Sequence, residues 1–122
     1  MNPVVETGLL VATVLCVVAN AFEVTAKLLK ARFVLENSAE VGLAPRWIPH
    51  LALLEGAGVM GLVAGLAGVR PLGLAAAAGL VAFFVGAVAV HIRARVLHNI
   101  AFPGLFLALA VAALAHFAWA PA

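Results

Sequence analysis

The stretch 48–69 fixes the environment of this chain before anything else does. After Pro49 and His50, every residue in it is apolar or glycine except Glu55. About 20 such residues make a helix long enough to cross the hydrocarbon layer of a bilayer. Lipid offers no partner to a free backbone N–H or C=O, so a spanning segment must be a helix or part of a closed barrel. Glu55 breaks the run about 10 Å along the helix from Ile48, at roughly 1.5 Å per residue. A carboxylate inside a span costs about 2.5–3.5 kcal/mol on insertion scales, which drives it to face a bundle interior and take a partner.

The rest of the chain has the same character. Its 122 residues are 66% hydrophobic and 10% charged, where soluble domains carry about 25% charged residues. Mean hydropathy is +1.21. Apolar runs at 3–22, 48–69, 72–92 and 101–119 predict four spans, with the first helix able to continue through Lys30 and a polar loop at 31–47. The expected fold is all-α: an integral membrane four-helix bundle, up-down-up-down, forming one transmembrane domain over 1–122 in contact with the lipid bilayer. Trp47 and Trp119 fall at span edges, where amphipathic rings meet the headgroup layer. Gly61 and Gly65 form a small-xxx-small pair that allows close helix approach, within one bundle or across a homodimer. Gly79 and Gly86 share a second face.

The formal charge of +2 does not point to nucleic acid, because no basic run exists and Lys and Arg sit at span ends. Six of the seven Lys and Arg residues fall on the side shared by the first and third connections. Both termini are therefore expected outside, with the basic loops in the cytoplasm. The first segment lacks a positive n-region and is expected to be retained as a span. A single cysteine, Cys16, excludes an internal disulfide and a CxxC redox pair.

The polar residues gather toward one end of such a bundle. Asn20, Glu23 and Lys27 lie at i, i+3 and i+7 and share a helix face, which Cys16 continues one turn earlier. His50 and Glu55 open the second span, and His91 and Arg93 close the third. Lys27 is the first candidate partner for Glu55, and Arg93 the second. His91 has the chemistry of a proton carrier or a donor to a carbonyl. Together Asn20, Glu23, Lys27, His50, Glu55, His91 and Arg93 make up the expected ligand-binding or polar cluster inside the membrane. A buried ion pair can equally fix helix register without any chemistry. His116 stands near the opposite end, with Glu6 and Arg70 as candidate neighbours. No two histidines have the spacing for one metal site, so no metal is expected, and no HExxH, P-loop or serine elbow occurs. Redox chemistry, if present, must come from a bound cofactor or a partner subunit.

Several segments together resemble the DoxX-like family of small four-helix membrane proteins, related to a thiosulfate:quinone oxidoreductase subunit. They are Lys27-Leu28, Leu53-Leu54-Glu55-Gly56-Ala57 with Gly61-Leu62, Val69-Arg70-Pro71-Leu72-Gly73, and the run from Gly86 to Arg93. The resemblance covers about residues 20–114. It implies a compact bundle with an intramembrane polar pocket at Lys27, Glu55, His91 and Arg93, and it raises quinone as a cofactor. It also implies that activity differs between members, one branch being similar to chaperones of receptor assembly.

Three functions follow as expectations. The first is a subunit that binds quinone or another small apolar ligand, beside a membrane redox partner. The second is a non-catalytic assembly subunit that docks a client membrane protein through its small-residue seams. The third is a small proton-coupled exporter, which the absence of tyrosine and the position of the carboxylate in the second span argue against.

Overall fold

The computed structural model describes residues 2–119. Five helices follow one another: α1 (Pro3–Leu28), α2 (Arg32–Glu40), α3 (Ile48–Leu66), α4 (Arg70–Arg93) and α5 (Ala101–Trp119), with a 3₁₀ turn at Pro45–Trp47 leading into α3. Four of them, α1, α3 (with its 3₁₀ turn), α4 and α5, are long and apolar enough to cross a membrane. Their outer faces carry large apolar side chains such as Val4, Val18, Leu53, Met60, Ile92 and Leu105, all exposed on the isolated chain. That pattern suits a lipid solvent rather than water.

Local signals explain the ends. Asn2 caps α1, its side-chain oxygen accepting from the Val4 N–H at 2.7 Å, and Pro3 sits where its missing N–H is not needed. Helices α1 to α4 all finish in the same way. The residue at the first position past each cap takes a positive φ: Lys30 at 53°, Gly42 at 77°, Gly68 at 116° and Arg95 at 59°. In each, the next N–H reaches back to the carbonyl five residues earlier, as from Ala31 to Ala26 at 3.0 Å and from Val96 to His91 at 2.9 Å. Two of these left-handed positions are basic, so cations sit at the negative ends of α1 and α4.

The chain runs up and down. The last turns of α1 meet the first turns of α3 through Lys27 and Glu55. The turn at 67–69 then sends α4 back along α3, and Arg70 at the start of α4 meets Phe117 at the end of α5. Helix α1 packs on α3 and α5, and α4 packs on the same two, so the four spans form a square. The core is thin and sets small residues (Cys16, Ala77, Ala110, Ala113) against Leu62, Leu80, Phe84 and Phe117.

Close approach of α3 and α4 depends on glycine. A Cβ built on Gly61 would lie 2.5 Å from the Ala76 Cβ, and one on Gly65 would lie 2.6 Å from the Gly73 Cα. The Gly61/Gly65 seam therefore packs inside the bundle. Gly79 and Gly86 have nothing within 4 Å of such an atom, so the second glycine face is not a packing seam of the monomer.

The segment 31–47, expected as a loop, holds the nine-residue helix α2 and the 3₁₀ turn. Helix α2 buries only Val34, which joins Ala26 and Ile48 under the end of the bundle. One apolar anchor in a polar segment is too little to register as periodicity. Its far end is tied across the bundle to the connection between α4 and α5. There Asn99 donates to Asn37 at 3.1 Å, and His98 lies 3.2 Å from Glu40.

Candidate functional site

Helix periodicity builds the site. On α1 the inward stripe is Thr13, Cys16 and Asn20, all fully buried, and it continues through the partly buried Glu23 and Lys27. On α3 the inward stripe is Ile48, Ala52, Glu55, Gly58, Leu62 and Gly65. Because α1 and α3 are antiparallel neighbours, the lower end of one stripe faces the lower end of the other. Gly56 marks the register: a Cβ there would touch the Val24 side chain at 3.7 Å.

Glu55 is fully buried, and its Oε1 accepts from Lys27 Nζ at 2.8 Å. The same ammonium donates to Glu23 Oε2 at 3.3 Å, one turn back on its own helix. Exposure rises outward along the cluster, from 0% at the Glu55 side chain to 15% at Lys27 and 23% at Glu23. One edge of the cluster therefore reaches the bundle surface. Two carboxyl groups therefore share one ammonium.

Further in, Asn20 spends its amide N–H groups on Cys16, donating to the backbone carbonyl at 2.8 Å and lying 3.4 Å from Sγ. Asn20 Oδ1 and Glu55 Oε2 are both enclosed and accept no hydrogen bond. An unpaired buried acceptor carries a penalty of about 1–3 kcal/mol, more when charged. Each such group in a folded chain calls for an explanation.

The remaining candidates lie elsewhere. His91 continues the inward stripe of α4 (Gly73, Ala77, Leu80, Phe84) and is partly buried, but its Nδ1 is 2.7 Å from the Ala87 carbonyl of its own helix. Arg93, two residues on, is turned about 200° around the helix and is exposed. Among the described residues it makes no ion pair, and Glu55 is paired with Lys27 instead. His50 is exposed too, packed on the Trp47 ring at 5.3 Å with Nδ1 at 3.2 Å from the Arg46 carbonyl. The structure thus joins Glu23, Lys27 and Glu55, places Asn20 with Cys16 and Thr13 on the same inward stripe of α1, and leaves His50 and Arg93 outside.

At the other end Arg70 holds neither Glu6 nor His116. Its Nε donates to the Phe117 carbonyl at 2.6 Å and its guanidinium to the Ala118 carbonyl at 2.9 Å, satisfying the free end of α5. His116 instead packs edge-on against Phe117.

On the outer face of α3 and α4 runs an apolar groove of about 610 Å³, lined by Leu54, Ala57, Gly61, Ala76, Gly79 and Phe83 among others. Glu55 faces away from it, toward α1.

A family model described as the DoxX-like family matches residues 11–113. No curated protein and no solved structure matches the chain.

Proposed function

The chain belongs to the DoxX-like family, and from that premise we propose that it is a membrane subunit that binds the polar head of a small apolar ligand of the quinone class, beside a redox partner in the same membrane. One observation carries this. A polar cluster of Glu23, Lys27 and Glu55, with Asn20 on the same helix stripe, lies within an apolar bundle and reaches the surface along its Glu23 edge. A pair that only locked helix register would need neither the second carboxylate nor the inward amide. Lys27 is the donor for a ligand oxygen, Glu55 and Asn20 line the inner wall, and Glu23 holds the ammonium near the entrance. His91 stands on the inward face of α4 and is the next residue to test for contact with the ligand.

The excess of Lys and Arg on this side (Lys27, Lys30, Arg32, Arg46, Arg93, Arg95) supports a cytoplasmic position for this end of the bundle, with both termini outside. Impermeant thiol labelling of single cysteines placed in the loop at 97–99 and at residue 2, in a Cys16→Ala background, tests that orientation.

The binding test is equilibrium titration of the detergent-purified chain with a short-chain quinone analogue in both redox forms. Wild type is expected to bind and Glu55→Gln to bind more weakly. Equal, negligible binding by both proteins removes the proposal.

A second reading, an assembly subunit for a client membrane protein, is favoured by the outer groove between α3 and α4, whose floor is alanine and glycine. Gly79→Leu fills that groove, so it should abolish recovery of a client in mild detergent. Undiminished recovery speaks against this surface.

A further inference from the structure

We infer that helix α2 is a hinged plug, which closes the end of the seam between α1 and α3 and controls water access to the Lys27–Glu55 pair from that end. Its position carries the first half of this. Val34, the one buried residue of α2, packs with Ala26 of α1 and Ile48 of α3. Ala26 directly precedes Lys27. Ile48 begins the inward stripe that runs through Ala52 to Glu55, about 10 Å further in at roughly 1.5 Å per residue. Ile48 and Ala52 are 3% and 1% exposed, so Val34 covers the outer of two sealed apolar positions between the bundle end and Glu55.

The second half is how loosely the plug is held. Helix α2 has nine residues and no side-chain cap at its start, and Glu40 sits at the negative end of its dipole with no basic residue in the last turn. A helix that short is marginal on its own, so docking decides whether it persists. Docking rests on Val34 and on a polar latch at the far end. There the Asn99 amide donates to Asn37 at 3.1 Å and to Glu40 at 3.3 Å, beside an exposed His98–Glu40 contact at 3.2 Å that is worth little in water. A left-handed residue lies just outside each end of α2, Lys30 at φ 53° and Gly42 at φ 77°. Those two joints can absorb the backbone change of a swing while α1 and α3 stay in place. Segments with few buried contacts and exposed polar ties are the ones that open first. Water access to the pair is a property of the bundle whether or not a ligand of the quinone class binds there.

Single cysteines read the opening. In a Cys16→Ala background, Val34→Cys reports undocking of α2 and Ala52→Cys reports water reaching the layer beneath Glu55. Ala110→Cys, in the core at 0% exposure, reports unfolding of the bundle. Each is labelled with a small cationic methanethiosulfonate on the intact chain in nanodiscs, with and without Asn99→Ala. Cutting the latch is expected to speed labelling at positions 34 and 52 about 5- to 10-fold, the effect of one to two partly exposed hydrogen bonds, and to leave position 110 unchanged. Asn37→Ala should act in the same direction, although alanine favours the helix itself. A rise missing at either 34 or 52, or an equal rise at 110, overturns the inference. None of these readouts involves a quinone, so gating and ligand binding fail separately.

Discussion

Removing Lys27 should be far worse for this protein than removing Glu55, although the two form one ion pair. In Lys27→Met the Glu55 carboxylate keeps its burial and loses its only hydrogen-bond donor, because Oε2 has none to begin with. Stranding a carboxylate inside a span costs about 2.5–3.5 kcal/mol on insertion scales, and breaking a buried pair from one side costs about 3–5 kcal/mol. We therefore expect about 3 kcal/mol of destabilisation. In Glu55→Met the ammonium keeps Glu23 at 3.3 Å and partial access to the surface, so the loss should be about 1 kcal/mol or less. The double variant replaces the pair by two apolar chains of similar volume and should lie within about 1 kcal/mol of wild type. Unfolding in a mixed-micelle titration with a denaturing detergent gives all four stabilities and closes the double-mutant cycle. Equal losses in the two single variants, or a double variant no better than Lys27→Met, would refute the reasoning.

Other expectations are independent of the ion pair. Gly65→Ala forces a Cβ to 2.6 Å from the Gly73 backbone and 2.7 Å from the Phe117 ring, and should lower stability by about 1–3 kcal/mol, whereas Gly86→Ala meets nothing and should be neutral within about 0.5 kcal/mol. The same unfolding titration separates them, and equal effects contradict the packing described. Arg70→Ala frees the Phe117 and Ala118 carbonyls at the end of α5, and should cost about 1–2 kcal/mol and raise amide exchange in its last turn. Lys30→Gly and Arg95→Gly relieve left-handed backbone at φ 53° and 59°, and each should stabilise by up to about 1 kcal/mol.

How much of this was legible beforehand depended on how strongly each residue is constrained by lipid. Glu55 announced itself because a carboxylate in a span needs a partner, and Lys27 was readable because it closes a helical stripe from Asn20 at the same membrane edge. Fold class followed from four apolar runs for the same reason. Helix α2 was not readable, since it is held by one buried valine and by contacts from Asn99 and His98 sixty residues away. Arg93 lies two residues past His91, nearly the opposite side of the helix, so its exposure was foreseeable from periodicity alone. In the sequence Arg70 is only a candidate neighbour of His116. Its role depends on α5 ending beside the start of α4, which only the assembled square provides.

The central claim is that the Lys27 and Glu55 cluster binds a ligand rather than merely fixing the bundle. The Lys27→Met, Glu55→Met double variant tests it most directly, because it is expected to fold while lacking the site. Titration with a short-chain quinone analogue in both redox forms should show saturable binding to wild type and none to the double variant. Equal binding to both proteins, or no binding to wild type, contradicts the account.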